Sequence, residues 1–138
     1  MRALLCSAAI LMGVWATPAG ACGHCVEDKV AAVYDHAVAT KAFGQKHQVA
    51  FFGIDGALAT DDGTRRAIES LARDVPGVDQ GSLRVSVETA ALSAAFDPQR
   101  TSFAQLQRML ERRLAPKKLT LLPMRVMDGP AQIKVVAK

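Results

Sequence analysis

The hydrophobic and polar positions between residues 26 and 54 predict a helix followed by a buried strand. Apolar residues recur from Val26 at i, i+4, i+7 and i+11, the spacing of one helix face, so we expect a single helix over 26–43. Gly44 follows, and glycine commonly ends helices. Residues 47–54 (HQVAFFGI) are almost continuously apolar and rich in Val and Phe, which is typical of a strand buried on both faces.

The rest of the chain continues with shorter periodic segments. The predicted elements are, in order, a helix over 64–74 capped near Asp61 or Asp62, strands over 83–87 and 92–96, a helix over 103–114 and a strand over 119–127. The two middle strands alternate apolar and other residues, so each is predicted to be half-buried.

The order of these elements indicates the fold. After the first helix it reads strand, helix, strand, strand, helix, strand, which is the ferredoxin-like arrangement. Pro123 fits the last strand, because proline cannot donate to a sheet ladder and belongs on an edge. The sequence therefore predicts an α+β protein, a ferredoxin-like βαββαβ domain preceded by an additional N-terminal helix.

The first 21 residues have the order of a secretory signal peptide. Met1-Arg2 is followed by an apolar run over 3–16 and by TPAGA, so we expect cleavage after Ala21 and a periplasmic or secreted protein. The predicted organisation is a signal peptide over 1–21, a CGHC motif and helix over 22–46, the ferredoxin-like domain over 47–127 and a tail over 128–138.

The charges are unevenly distributed along the chain, whose net charge is +4. Residues 22–97 contain 7 basic and 11 acidic residues, whereas residues 98–138 contain 9 basic and 2 acidic residues. A basic C-terminal region can face an acidic partner or a membrane surface, or can be an ordinary solvated face. Export argues against nucleic acid as a partner.

The CGHC motif, Cys22-Gly23-His24-Cys25, is the main candidate for chemistry. Two thiolates separated by two residues can converge on one soft ion such as Cu(I), and zinc is a further candidate. Cleavage after Ala21 makes His24 the third residue, where its imidazole, the new amine and backbone nitrogens can form a square-planar Cu(II) site. Asp28 and His47 are accessory candidates.

Other interpretations of the motif stay open. Cys22 and Cys25 could be a thiol–disulfide redox pair, with Lys29 one turn away favouring a thiolate. They could also form a disulfide that only caps the first helix. Lipidation of Cys22 would remove a thiol and the amine, and would anchor the protein to a membrane.

The segment VPGVDQGSLRVSVETAALSAAFDPQRTSFAQLQRML resembles the heavy-metal-associated domain, in its Pro-Gly-Val before a strand, its hairpin and the Thr that opens its last helix. The resemblance covers about residues 47–127 and implies a ferredoxin-like fold, soft-metal binding and a chaperone or resistance role. Its implied partners are a metal ion, another metal-handling protein or a second copy of the chain.

One departure from that family concerns its ligand loop, which lies between the first strand and the next helix. Here residues 53–63 contain no cysteine, methionine or histidine, so the family's metal site cannot be carried over. The CGHC motif is similar to the family's ligand motif but precedes the added helix. The sequence has no phosphate-binding glycine loop, Gly-x-Ser-x-Gly or His-Glu-x-x-His, and we therefore do not expect an enzyme.

Overall fold

The computed structural model describes residues 25–130. Its helices are Val26–Val33 (α1), His36–Gly44 (α2), Asp62–Ala72 (α3) and Phe103–Leu114 (α4), and its strands are Gln48–Asp55 (β1), Arg84–Ser86 (β2), Ala91–Phe96 (β3) and Thr120–Met127 (β4). The predicted signal peptide, Cys22, His24 and the last eight residues of the tail lie outside the described residues. Within the described part, no helix is long and apolar enough to cross a membrane.

The four strands form one sheet in the order β2-β3-β1-β4, and every neighbouring pair is antiparallel. This order confirms the predicted ferredoxin-like arrangement. β4 lies at an edge, as Pro123 predicted. The register against β1 shifts between Phe51, opposite Arg125, and Phe52, opposite Pro123, so that Met124 is the extra residue of a bulge in β4.

Helices α3 and α4 cover one face of the sheet. The side chains of Ala50, Phe52 and Ile54 in β1 belong to the core on this face, and the ring of Phe52 stacks on that of Phe103 with centroids 4.9 Å apart. Local signals start both helices, because the Asp61 side chain caps α3 and a Ser102–Gln105 capping box starts α4.

Helices α1 and α2 cover the opposite face. Val49 and Phe51, which alternate with the core residues of the first face, pack there against Val30, Val33 and other small residues of the two helices. β1 is therefore buried on both faces, as predicted. The prediction that residues 92–96 are half-buried is wrong: every residue of β3 is buried, because α1 and α2 cover its second face.

The prediction of one additional helix over 26–43 is also wrong, because two short helices occupy this segment. Tyr34 leaves the helical conformation with φ −74° and ψ 126°. The next residue, Asp35, is extended, and its carboxylate accepts hydrogen bonds from the backbone N–H groups of Ala37 and Val38. Asp35 is thus the N-cap of a second helix, and the break lets both helices lie on the sheet.

Side chains of α4 form hydrogen bonds with backbone groups on the exposed edge of β4. The Gln107 amide donates to the carbonyl of Leu121 (3.0 Å), and the Glu111 carboxylate accepts from the N–H of Leu121 (2.9 Å). Pro123 follows with no N–H to leave unpaired. These three residues reduce the ability of this edge to pair with another chain.

Candidate metal-binding site

Cys25 is the first described residue and lies immediately before α1. Its backbone is extended, and its carbonyl accepts the first helical hydrogen bond, from the N–H of Lys29 (3.1 Å). The side chain makes no capping hydrogen bond and the residue is exposed. The thiol therefore faces solvent from a backbone position that the helix fixes.

Contacts with three parts of the sheet hold α1 in place. The Ser93 hydroxyl donates a buried 2.6 Å hydrogen bond to the carbonyl of Val33, at the end of the helix. The Lys29 ammonium donates to the carbonyls of Thr89 (2.8 Å) and Ala90 (3.2 Å), in the turn between β2 and β3. These bonds tie the middle and the C-terminal end of α1 to the sheet.

An ion pair adds a third contact near the motif. Arg125 of β4 donates to both carboxylate oxygens of Glu27, in the first turn of α1. The Arg125 guanidinium lowers the pKa of Glu27 below its usual range, so Glu27 keeps its charge to a lower pH than a free carboxylate does. Both groups are exposed to solvent, and the pair therefore orients α1 more than it stabilises the fold.

Lys29, which the redox interpretation used as a cation favouring the Cys25 thiolate, has hydrogen-bond partners in the sheet. Its ammonium binds the two carbonyls of the β2–β3 turn and so anchors α1. Thiolates are favoured by a helix N-terminus as well as by a nearby cation. The redox interpretation therefore stays open.

The accessory candidates are divided between two ends of the molecule. Asp28 lies in the first turn of α1 and is exposed, within a turn of Cys25. His47 precedes β1, and its Nδ1 lies 2.8 Å from the Asp79 carboxylate while its Nε2 lies 3.8 Å from that of Asp97. That end of the sheet is opposite the β2–β3 turn to which Lys29 binds, so His47 does not join the candidate site.

A metal site cannot be completed from residues 25–130 alone. In this range no three His, Cys, Asp or Glu side chains cluster in a way that could hold a metal ion. Met124 and Met127 are partly buried and pack against the α1–α2 side of the core. This packing explains both residues without a role as metal ligands. Beside Cys25, the remaining donors of the motif are Cys22 and His24, which lie outside the described residues.

The loop after β1 is where the resembling family places its metal ligands. Here the residues of this loop have structural roles. Gly56 has φ +129°, and a Cβ at this position would lie 2.9 Å from the carbonyl oxygen of Lys118. Asp61 accepts hydrogen bonds from the N–H and hydroxyl of Thr64, which lower its pKa below the usual range. Gly56 thus allows the close approach of the loop to Lys118, and Asp61 stabilises the start of α3.

Sequence reasoning did not identify Ser93 and Arg125 as supports of the motif. Their contacts with α1 join residues 60 and 98 positions apart. The polar Ser93 within the apolar segment ALSAAF was a visible signal, since a buried hydroxyl needs a hydrogen-bond partner. No comparable signal in a single sequence pairs Arg125 with Glu27.

Comparisons with known proteins give structural similarities alone. No protein-family model and no curated protein matches the chain. It is similar to "a copper binding domain from HMA7, a P-type ATPase" with a TM-score of 0.46 and 15% identity, over 57% of this chain and 96% of that one. For oxidized MerP from Ralstonia metallidurans CH34 the values are 0.45, 19%, 57% and 99%. For the CopZ metallochaperone they are 0.41, 18%, 54% and 98%. Similarity at this level assigns neither a family nor a function.

Proposed function

We propose that this protein is exported and binds a soft metal ion, copper before zinc, through the thiolates of Cys22 and Cys25. His24 is an additional ligand, and Asp28 can approach from the first turn of α1. The protein would act as a metal chaperone or in metal resistance rather than as an enzyme. Its partners would be the ion itself and another metal-handling protein or a second copy.

The observation that carries this proposal is the position of Cys25. Its thiol is exposed at the start of a helix that Ser93, Lys29 and Arg125 tie to the folded domain. A ligand held on a fixed backbone loses less conformational freedom when an ion binds. Cys22, three residues earlier, needs only a short chain to bring a second thiolate to the same ion, as in other Cys-x-x-Cys sites.

The donor set allows two oxidation states. Cu(I) is a soft ion and prefers the two thiolates, whereas Cu(II) suits the amine, backbone nitrogens and His24 imidazole that cleavage after Ala21 would bring together. A two-thiol site near a chain end can also be shared between two copies. The copper stoichiometry, one per chain or one per dimer, distinguishes a site within one chain from a site shared between two copies.

Native mass spectrometry of the protein recovered from the export compartment tests the proposal. We expect a mass that begins at Cys22 and increases by one copper per chain or per dimer when reduced protein receives equimolar Cu(I). Cys22→Ser and Cys25→Ser should each lose this copper, and His24→Ala should weaken retention of Cu(II). His36→Ala is the matched control, because His36 is exposed on α2 and contacts Tyr34 and Thr40.

The second candidate, a thiol–disulfide protein, is favoured by Cys25 lying at a helix start, a common position for reactive thiols. This function predicts a mass lower by two hydrogens, no copper uptake even after reduction, and reduction of a test disulfide without metal. Such a result would refute the metal proposal. A mass increased by a lipid would instead show that Cys22 is lipidated.

A further inference from the structure

The basic C-terminal region of the sequence forms a defined groove on the molecule. An open cavity of about 400 Å³ lies between the turn after α3 and the first three turns of α4, and three arginines line it: Arg100, Arg108 and Arg112. The groove lies on the α3–α4 side of the sheet, whereas Cys25 leads into α1 on the other side. It is thus separate from the proposed metal site.

The charges of these arginines are not neutralised within the described residues. Among residues 25–130, none of the three has a carboxylate within 4.0 Å. Glu111, the acidic residue of α4, accepts the N–H of Leu121 and so faces β4. Three positive side chains around one concavity raise the local potential, and the N-terminal end of α4 adds a positive partial charge.

The floor of the groove is built from two tightly packed turns. Gly77 has φ +88°, and a Cβ there would lie 2.8 Å from the methyl carbon of Thr101. Thr101 is buried, and its N–H donates to the carbonyl of Asp97 (3.1 Å), while the Asp97 N–H donates to the carbonyl of Gly77 (3.3 Å). These contacts fix the shape of the groove beneath the exposed arginine side chains.

We propose that this groove binds an extended acidic segment of a partner protein. Arg108 and Arg112 are four residues apart on α4, which places them about 6 Å apart along the axis. Alternate residues of an extended chain are about 6.6 Å apart and point to the same side. Carboxylates at every second position of such a segment therefore match the two guanidinium groups, which bind carboxylates in a planar, two-bond geometry.

The shape of the site favours this ligand over other anions. A flat membrane surface would meet the rim of a concave groove before its floor. A single small oxyanion would use one or two of the three arginines and leave most of the cavity empty. An extended segment can fill the groove along α4 and reach Arg100, which precedes the helix.

The test is binding of a labelled ten-residue peptide with Glu and Ala alternating, measured by fluorescence anisotropy with the purified full-length mature protein in about 0.1 M salt. We expect Arg100→Gln, Arg108→Gln and Arg112→Gln each to weaken binding about tenfold, the size expected for loss of a charged hydrogen bond. Arg113→Gln is the matched control, because Arg113 is exposed on the same helix but does not line the groove. It should change binding less than about twofold, because adjacent helix residues do not face the same side and the salt screens charges beyond about 10 Å.

The proposal would be overturned by no binding of the peptide, by an equal loss in Arg113→Gln, or by displacement of the peptide by citrate or phosphate at the peptide's own concentration. Binding of phosphatidylserine vesicles through the same arginines without binding of the peptide would also overturn it. Copper uptake should be unchanged in every arginine variant, so failure here is distinguishable from failure of the metal proposal.

Discussion

Replacement of Val33 by alanine tests whether α1 is truly part of the folded core. Val33 ends α1, is 3% exposed and packs with Val30 and Phe51 between the helix and the sheet. If α1 rested loosely on the sheet, this side chain would contribute little to stability. The structure instead predicts a clear loss.

The magnitude follows from the buried atoms. Val→Ala removes two methyl-sized groups, each of which contributes about 0.8 kcal/mol when buried, and leaves a small cavity that costs about 0.5–1 kcal/mol more. The better helix propensity of alanine offsets about 0.5 kcal/mol of this loss. We therefore expect the free energy of unfolding to fall by about 1.5–2 kcal/mol. Val26→Ala is the matched control, since Val26 is on the same helix but 46% exposed, and its change should be within about 0.5 kcal/mol of zero.

Urea denaturation followed by circular dichroism gives both values. With an m-value of about 1.5–2 kcal/mol/M, the midpoint of Val33→Ala should move down by about 1 M at unchanged m. Amide hydrogen exchange in α1 should accelerate in this variant and not in Val26→Ala. Equal, small effects of the two substitutions would refute the docking of α1, and with it the fixed position of Cys25.

Three further predictions concern the polar contacts of the fold. Ser93→Ala should lower the free energy of unfolding by about 1–3 kcal/mol in the same urea assay, because it leaves the last carbonyl of α1 buried without a partner; a change below about 0.5 kcal/mol would contradict it. The N–H of Val38 and then the Arg84 guanidinium lower the pKa of Asp35, so its contribution to stability is present above about pH 4 and is lost as pH falls through the lowered pKa. The urea midpoint should therefore depend less on pH between 3 and 5 in Asp35→Asn than in the unmodified protein. The same pH dependence in both proteins would count against this contribution of Asp35 to stability. Glu111→Ala should expose the β4 edge at Leu121 and increase concentration-dependent association in sedimentation, whereas Glu111→Gln, which keeps an acceptor, should not.

The sheet and the two later helices were predictable because their signals are local. Phe103 to Leu114 repeats at helical spacing behind a Ser102–Gln105 capping box, and both bounds of α4 are as predicted. Pro123 correctly marked the edge strand. Such features need only neighbouring residues to specify them, so a single sequence contains them.

The α1–α2 segment was less predictable, because its structure depends on the sheet beneath it. The apolar spacing from Val26 continues through Asp35, and only the side-chain cap shows that a second helix begins there. The burial of β3 on both faces has the same origin: the strand's own alternation cannot show what covers its second face.

The donor atoms of the candidate site stay a prediction from the sequence, whereas the contacts that support Cys25 needed the fold. The spacing of Cys22 and Cys25 indicated a soft-metal or redox site from four residues. The carbonyls that bind the Lys29 ammonium lie 60 and 61 residues further along the chain, so the sequence could not indicate this contact. The Arg100–Arg108–Arg112 groove likewise needed the fold, since the sequence showed an excess of charge and not its convergence.

X-ray absorption at the copper edge is the most direct test of the central claim, that the CGHC thiolates bind copper. The protein would be loaded with one equivalent of Cu(I) under reducing conditions and compared with Cys25→Ser and with the His36→Ala control. We expect two sulfur ligands in the unmodified protein and in His36→Ala, and one fewer, or no bound copper, in Cys25→Ser. A spectrum with only nitrogen and oxygen ligands, unchanged by Cys25→Ser, would contradict the claim.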